Sequence, residues 1–303
     1  MKVVYFGTGT FAVPPLAAIA EHVCLVVTQP DRPGQRGHKL VSTPVKEFAL
    51  ANGIEVATPE KARAPEFVES VRSLEADALV VASYGQILSL KLLNSARIGG
   101  INLHGSLLPA YRGAAPIQRC LENGDEETGV TLMQMDKGMD TGDMIAVERL
   151  AIDPEETYGE LQDRLAVLSA EMIRAWLPRL VTGDYPRTPQ NHDFATHAAK
   201  VDRSETELSF SRPAGQEFNR YRAFSPNPSV FISTRFGRLK LLKAALEPCA
   251  AAEPGTVLAL DPLTIAFGEG SLRFLEIQPE GKKKVSGRDF ANGARLRVGD
   301  CLL

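Results

Sequence analysis

The segment "VVYFGTGTFAVPPLAAIAEHVCLVVT" (3–28) decides the fold class, because it places two β-rich runs on either side of a helix-like stretch. Residues 3–7 and 23–28 are apolar, partly β-branched and as long as a typical strand. Proline in the stretch between them is placed where a helix can begin. A strand, helix, strand unit indicates parallel strands joined by a crossover. The segment therefore predicts an α/β fold.

The same alternation continues through the first half of the chain. Residues 78–83 and 99–104 are further apolar runs of strand length, and residues 44–51 and 65–74 are helix-like segments that each begin with proline. The repetition predicts a doubly wound, Rossmann-like sheet. Ligands of such sheets bind beyond the carboxyl ends of the strands, so we expect the functional residues there.

The second half of the chain has a different pattern. Residues 129–152 are two apolar runs joined by a glycine-bearing turn, and residues 157–180 form an amphipathic helix pattern. A polar, proline-containing stretch follows, and beyond Phe218 short apolar runs alternate with Gly, Pro and Asp, as in a small β-barrel. The predicted parts are an α/β domain at 1–180, a linker at 181–204 and a smaller C-terminal OB-like β-barrel domain at 205–303.

The composition is that of a globular protein, with 44% hydrophobic and 23% charged residues, and it excludes a disordered or fibrous chain. No apolar run reaches the roughly 18 residues that a membrane span needs, and the first residues lack the pattern of a signal peptide. We therefore expect a cytoplasmic protein without membrane association. The four cysteines have no CxxC spacing, so neither a zinc site nor a disulfide framework is expected.

Charge is distributed unevenly, although the net charge is only −3. From Ser204 to the end there are 14 Lys and Arg against 11 Asp and Glu, whereas the first 203 residues have 20 against 26. The last third is therefore the basic part. A surplus of three charges is only a weak indication of a polyanionic partner.

The motif "GTGTFA" (7–12) follows a predicted strand and matches the dinucleotide-binding fingerprint, and Asp31 is placed where a ribose-binding acid would be. A nicotinamide-dependent oxidoreductase is thus one alternative. However, the following helix begins with two prolines, and Asp31 belongs to a long basic loop. We favour the interpretation that the glycines permit a tight turn between strand and helix.

The segment "NLHGSLLPAYRG" (102–113) places polar side chains where a strand ends. Side chains two residues apart on a strand point to the same side, so Asn102 and His104 project together. An amide donates a hydrogen bond without carrying charge, and a histidine near neutrality can donate to an oxygen or carry a proton. The pair suits the stabilisation of a developing oxyanion.

A base is available in "DKGMDTGDM" (136–144), a glycine-rich turn with aspartates at 136, 140 and 143. Spacing alone does not choose among them. We favour Asp140, between Met139 and Thr141, because apolar neighbours in a closed cleft would raise the pKa of its carboxyl group and let it accept a proton. Ser106 lacks the following glycine of a nucleophile elbow. Asn, His and Asp without a nucleophile indicate direct transfer between two bound substrates, and because asparagine is a poor metal ligand we expect no metal.

The longer segment "GGINLHGSLLPAYRGAAPIQRCLENGDEETGVTLMQMDKGMDTGDMI" (99–145) resembles the signature of the formyltransferases that use 10-formyltetrahydrofolate. The resemblance implies that 10-formyltetrahydrofolate is the co-substrate and that Asn102, His104 and Asp140 are catalytic. It also implies that the first domain binds folate, through residues Ser106, Leu107, Leu108 and Pro109.

Three subfamilies compete, which formylate glycinamide ribonucleotide, an amino sugar nucleotide or methionyl initiator tRNA. A second β domain argues against the first, whereas the sugar-nucleotide enzymes remain an alternative. The segments at 6–19, 29–46 and 78–88 resemble the tRNA enzymes. The resemblance therefore implies methionyl initiator tRNA as the partner, a role in translation initiation and no obligate protein partner.

Two clusters of cations are candidates for binding the tRNA. One belongs to the basic loop at 29–46, which resembles a segment that enters the acceptor stem, and the other to "GKKKVSGR" (281–288) in the basic C-terminal domain. Lysine and arginine neutralise phosphates, so each contact should steepen the salt dependence of binding. The predicted tRNA-binding residues are Arg32, Arg36, Lys39, Lys282, Lys283 and Lys284.

Overall fold

A computed structural model of the chain describes residues 1–33, 40–248 and 252–303. It consists of two compact units, and two short segments of the chain before residue 162 belong to the second unit. The first unit comprises Met1–Pro116, Glu127–Ala151 and Gln162–Ala199, and the second comprises Ile117–Glu126, Ile152–Leu161 and Lys200–Leu303. The predicted domain ranges contain no such exchange of segments, and the domain boundaries stay a prediction.

The first unit is built on a mixed sheet with the strand order β10-β9-β7-β6-β1-β2-β5. Its strands and two short pairs beside it are β1 Val3–Gly7, β2 Val23–Val27, β3 Arg32–Pro33, β4 Leu40–Val41, β5 Val56–Ala57, β6 Ala78–Ala82, β7 Gly100–His104, β8 Arg112–Gly113, β9 Glu127–Gln134, β10 Met144–Ala151 and β11 His197–Ala198. The α-helices up to residue 182 are α1 Val13–Ala18, α2 Pro44–Ala51, α3 Pro65–Ser73, α4 Leu90–Leu93, α5 Pro116–Asn123 and α6 Tyr158–Thr182.

Five strands of this sheet are parallel, which confirms the predicted doubly wound fold. The chain runs from β1 to β2 and β5 on one side and then crosses to β6 and β7 on the other, so the direction of winding changes between β1 and β6. Strands β9 and β10 add an antiparallel edge beside β7. Strands β1, β6 and β7 are buried along their whole length, which explains their nearly continuous apolar sequences.

The turn after β1 requires glycine for packing. A Cβ at Gly7 would lie 2.8 Å from the Ala12 Cβ and 2.9 Å from the Tyr5 ring. Such distances force a neighbour to move, so the glycine permits the close approach of strand and helix. Asp31, the alternative ribose-binding acid, instead forms an ion pair with Lys46 at 2.7 Å.

The second unit is dominated by a sheet with the order β12-β13-β14-β17-β16-β15, in which β12 and β13 are parallel and the other pairs are antiparallel, and β18 pairs with β17. Its elements are β12 Glu207–Leu208, α7 Ala214–Phe224, β13 Val230–Thr234, β14 Gly237–Glu247, β15 Val257–Leu260, β16 Leu263–Ala266, β17 Ser271–Pro279, β18 Val285–Ser286 and α8 Gly287–Gly293. The short apolar runs predicted beyond Phe218 correspond to strands β13 to β17. A β-rich C-terminal part is therefore confirmed, whereas its OB-like character stays a prediction.

Residues 181–204, predicted as a linker, carry short elements. Helix α6 continues to Thr182, Thr188 forms an antiparallel bridge with Met144, and β11 pairs with β8 in parallel. These contacts lie within the first unit, to which residues up to Ala199 belong. Among the helices of the described ranges, none combines the length and the apolar character needed to cross a membrane.

Candidate active site

Strand β7 presents Asn102 and His104 on the same face, as their spacing predicts. The strand is fixed on both sides, because Asn102 pairs with Val81 of β6 and with Met133 of β9. Asn102 is 8% exposed and His104 6%. Their side chains therefore have defined surroundings from which most water is excluded.

The turn between β9 and β10 brings Asp140 onto this pair. The Asn102 amide nitrogen Nδ2 lies 3.5 Å from Asp140 Oδ1, and His104 Nδ1 lies 3.7 Å from Asp140 Oδ2. The Gly113 N–H donates to Asp140 Oδ2 at 2.8 Å. The structure thus brings the three predicted catalytic side chains together, with one carboxylate facing both the amide and the imidazole.

Asp136, another of the candidate aspartates, occupies a different position in the turn. Asp136 is exposed, and its carboxylate accepts from Gly138 N at 2.8 Å and Thr141 Oγ1 at 2.7 Å, so it shapes the turn itself. The expectation that Asp140 has apolar surroundings is wrong, because Met139 is 59% exposed and the backbone N–H of Gly113 donates to the Asp140 carboxylate. What singles out Asp140 is its contact with β7.

The contact of His104 with Tyr111 defines where one hydrogen of the imidazole lies. His104 Nε2 is 2.9 Å from the Tyr111 carbonyl oxygen. A carbonyl can only accept, so Nε2 carries a hydrogen and donates it. Nδ1 is then the nitrogen that faces the Asp140 carboxylate, at a distance longer than a hydrogen bond.

The backbone of Asp140 is held in an unfavourable conformation. Its φ of +53° lies in the left-handed region, which costs a residue other than glycine about 1 kcal/mol or more. A Cβ at Gly142 would overlap the Gln134 carbonyl oxygen, so this glycine is required for the turn to pack against β9. The turn that carries Asp140 is therefore strongly constrained by its surroundings.

Two buried polar residues that the sequence analysis did not single out lie behind this turn. Gln190 donates from Nε2 to the Asp140 and Gly142 carbonyls at 2.9 and 2.8 Å. Arg112 donates to Gln190 Oε1 from Nε at 3.0 Å and from Nη2 at 2.6 Å, and its Nη2 also contacts His192 Nδ1 at 3.1 Å. Arg112 lies within the quoted segment 102–113 and could have been noticed, whereas nothing local in the sequence marks Gln190.

The predicted folate residues form the loop after β7, which is held by a hydrogen bond of its own and by two hydrogen bonds to Thr131 of β9. Ser106 Oγ donates to the Ala110 carbonyl at 2.7 Å, and Thr131 Oγ1 donates to the Ser106 carbonyl at 2.7 Å and accepts from Leu108 N at 3.1 Å. Ser106 and Leu108 are buried, whereas Leu107 and Pro109 are half-buried. A folate contact by these four residues stays a prediction.

A cavity of about 670 Å³ lies within the first unit, beside the turn that carries Asp140. Its volume is in the range typical of sites for small molecules. Thr141, Gly142 and Asp143 line one part of it, and residues 106–109 do not belong to its lining. The other lining residues in the described part of the chain are Leu90, Leu93, Asn94, Ala96, Arg97, Ile98, Gly99, Gly100, Gln134, Met135, Asp136, Arg187 and His192.

The predicted tRNA-binding residues are distributed over both units. Arg32 is exposed in β3, whereas Arg36 and Lys39 lie outside the described residues. The three consecutive lysines Lys282–Lys284 are exposed in the turn between β17 and β18, and Lys284 Nζ forms an ion pair with Glu276 at 2.7 Å. Lys282 and Lys283 therefore present their ammonium groups to solvent beside a paired neighbour.

Comparison with known proteins identifies both parts of the chain. Residues 1–177 match the family described as "Formyl transferase", and residues 200–295 match "Formyl transferase, C-terminal domain". The chain is 44% identical to a methionyl-tRNA formyltransferase of Symbiobacterium thermophilum, over 99% of this chain and 94% of the relative. It is 43% identical to one of Myxococcus xanthus, over 98% and 96%.

Solved structures agree on the fold. An N-formyltransferase from Helicobacter canadensis, in complex with folinic acid and dTDP-3-aminofucose, superimposes with a TM-score of 0.67 at 18% identity, over 94% of this chain and 100% of that one. HypX from Aquifex aeolicus in complex with tetrahydrofolic acid gives 0.66 at 14% identity, over 98% of this chain and 48% of HypX, about half its length. The relatives matched over nearly their full length show that the chain belongs to the methionyl-tRNA formyltransferases of the formyl transferase family.

Proposed function

We propose that the protein transfers the formyl group of 10-formyltetrahydrofolate to the α-amino group of methionyl initiator tRNA, as a step towards translation initiation. The names of relatives with 42 to 44% identity over nearly the whole chain support methionyl-tRNA as the acceptor of the formyl group. The single observation that carries the chemistry is the convergence of Asn102, His104 and Asp140 at one face of β7.

The reaction begins when the neutral α-amine attacks the formyl carbon and forms a tetrahedral oxyanion. Asn102 Nδ2 is a neutral donor and stabilises the oxyanion without protonation. His104 keeps the hydrogen of Nε2 on the Tyr111 carbonyl, so the nitrogen that turns towards the substrate is Nδ1. With a hydrogen already on Nε2, Nδ1 can donate to the oxyanion only when the ring enters the reaction as the imidazolium, and the Asp140 carboxylate lies beside that charge.

Asp140 is the proton acceptor in this proposal. The new bond joins the α-nitrogen to the formyl carbon, and the bond that breaks joins the formyl carbon to N10 of the folate. Asp140 takes one proton from the attacking amine, directly or through a water, and returns it to N10 as that nitrogen leaves. The step therefore needs no further reactant, and tetrahydrofolate and formylmethionyl-tRNA are the products.

The cavity beside the Asp140 turn supports a site for the folate in the first unit. Its lining combines apolar side chains such as Leu93 and Met135 with polar groups such as Gln134 and Asp136, which suits a flat ring system that carries amide and amine groups. Thr141 and Gly142 belong to both the cavity and the turn, so a folate bound there would lie beside the turn that carries Asp140, although Asn102, His104 and Asp140 are not among the lining residues. The predicted folate contacts of Leu107 and Pro109 lie outside the lining of this cavity and are a separate part of the proposal.

The experiment that tests the function compares three acceptors of the formyl group. The purified protein is given 10-formyltetrahydrofolate together with methionyl initiator tRNA, an amino sugar nucleotide or glycinamide ribonucleotide. We expect formylation of the methionyl-tRNA alone. Formylation of the sugar nucleotide with no product on the tRNA would assign the protein to the alternative class of formyltransferase.

A further inference from the structure

Gln190 is a buried side chain whose hydrogen-bonding capacity is completely used within the first unit. It is 5% exposed. Nε2 donates to the carbonyl oxygens of Asp140 at 2.9 Å and Gly142 at 2.8 Å, and Oε1 accepts two hydrogen bonds from Arg112, at 3.0 and 2.6 Å. An amide nitrogen has two hydrogens and an amide oxygen two lone pairs, so these four bonds saturate the group.

The partners determine the orientation of the amide. A guanidinium can only donate and a carbonyl can only accept, so Oε1 must face Arg112 and Nε2 must face the turn. Rotation of the amide by half a turn would lose all four hydrogen bonds. Arg112 is itself 5% exposed and donates from two nitrogens, so it orients the Gln190 amide firmly.

Asp140 is therefore held at two points, and both depend on β8. The backbone N–H of Gly113 holds the carboxylate at Oδ2, and the side chain of Arg112 holds the backbone carbonyl through Gln190. Between these two points the residue adopts its positive φ of 53°. Release of the carbonyl would let the backbone of the turn relax and would move the carboxylate away from β7.

We propose that Gln190 is a positioning residue for formyl transfer, which fixes the Asp140 carboxylate against Asn102 and His104 through its hydrogen bonds to the turn. The inference rests on the proposed function, because it concerns the base of that reaction. Gln190 touches none of the reacting atoms. Its contribution is geometric, and a misplacement of about 1 Å is known to cost on the order of a hundredfold in rate.

Two variants separate this role from simple packing. In Gln190→Glu, one carboxylate oxygen still faces Arg112 and forms an ion pair with it. The other oxygen faces the Asp140 and Gly142 carbonyls and repels them. Gln190→Met keeps the volume and removes every hydrogen bond. For both we expect kcat for formylation of methionyl-tRNA to fall on the order of tenfold or more, with KM for both substrates within about threefold of wild type.

Amide hydrogen exchange, measured by NMR, gives a second readout that is independent of activity. The Gly113 N–H is bonded to the Asp140 carboxylate, whereas the flanking Arg112 and Ala114 N–H groups are bonded to the carbonyls of Thr196 and Ala198. In Gln190→Glu we expect the Gly113 amide to exchange about tenfold faster while its two neighbours keep their wild-type rates. A merely structural role would accelerate all three amides together.

The matched control is Gln216→Glu, the same chemical change at an exposed position of α7 in the second unit, and it should keep the wild-type kcat. If wild-type protein forms no formylmethionyl-tRNA, the proposed function fails. The exchange pattern then still tests whether Gln190 fixes the position of the Asp140 carboxylate. Wild-type kcat in both Gln190 variants, or an unchanged Gly113 amide in Gln190→Glu, would overturn the inference. If Gln190→Met does not fold, Gln190→Glu decides by itself.

Discussion

His104 Nδ1 lies 3.7 Å from Asp140 Oδ2, although the two residues come from different parts of the chain. His104 ends β7, and Asp140 belongs to the turn after β9, the antiparallel neighbour of β7. The pair therefore exists only when the antiparallel edge of the sheet is formed and its turn is folded back. A substitution that disturbs this turn can therefore lower activity by moving the Asp140 carboxylate, even when the carboxylate itself is kept.

Asp140→Asn removes the proposed proton acceptor while it preserves the size of the side chain. We expect the rate of formyl transfer at saturating substrates to fall by a factor of about 100 or more, because general base catalysis contributes roughly 10²- to 10⁴-fold. The control Asp163→Asn makes the same chemical change at an exposed position of α6, and it should keep the wild-type rate. A single-turnover assay measures both, and a larger loss in Asp143→Asn than in Asp140→Asn would show that the base is misassigned.

Asn102→Ala tests the proposed oxyanion donor. One such donor is worth about 3 kcal/mol of transition-state stabilisation, so kcat should fall on the order of a hundredfold while the binding of both substrates changes little. Asn52→Ala removes an exposed asparagine whose amide donates to the Phe48 carbonyl at the end of α2, and it should keep wild-type kcat. Steady-state kinetics separate the two effects. An Asn102→Ala variant with wild-type kcat and weaker substrate binding would make Asn102 a binding residue.

The elements that the sequence predicted are those whose burial follows a simple period. Strands β1 and β6 are apolar throughout because both of their faces are buried, and the paired projection of Asn102 and His104 follows from the alternation of a strand. Helix α7 was missed because its buried face includes Glu217 and Arg222, so the apolar pattern that marks a helix is interrupted.

The part of the candidate site that could not be predicted depends on contacts between distant residues. Gln190 lies in a polar, proline-containing stretch that was predicted to be a linker. Its hydrogen bond to the Asp140 turn depends on the folded arrangement in which β11 pairs with β8. Asp140 could be chosen from the sequence, but the expected reason was wrong, because its contacts with Gly113 and β7 distinguish it rather than apolar neighbours. Local sequence patterns therefore predict the residues that carry out the chemistry more readily than the residues that hold those catalytic residues in place.

The ion pair between Glu205 and Arg119 in the second unit should make stability depend on pH. Arg119 donates to the Glu205 carboxylate at 2.7 and 3.0 Å, and this hydrogen bonding lowers the pKa of Glu205. Because the pKa is lower in the folded state, the stabilisation is fully present above the unfolded pKa of about 4.3 and is lost as the pH falls through the folded value. Glu205→Gln should therefore destabilise the protein near pH 7 and matter progressively less in acid.

Urea unfolding from pH 7 down to pH 3 measures this difference. Since the Glu205 side chain is 31% exposed, solvent weakens the pair, and we expect a loss of about 1 kcal/mol near neutrality. Glu253→Gln, at an exposed position, controls for the loss of one carboxylate. A difference between wild type and Glu205→Gln that stays constant down to pH 3 would contradict the assignment of the pH dependence to this pair.

Lys282 and Lys283 are predicted to contact the tRNA, and this prediction can be tested by the salt dependence of binding. Both are exposed in the turn after β17, and an ammonium group that neutralises a phosphate releases a counterion. A plot of the logarithm of the affinity against the logarithm of the salt concentration should therefore become shallower by about one unit for each lysine changed to alanine. The kcat at saturating tRNA should not change, because these side chains act on binding.

Arg72→Ala removes one positive charge from an exposed position of α3, where Arg72 pairs with Glu69, and controls for the change in net charge. If Lys282→Ala and Lys283→Ala leave the slope as it is in wild type and in Arg72→Ala, this turn does not contact the tRNA.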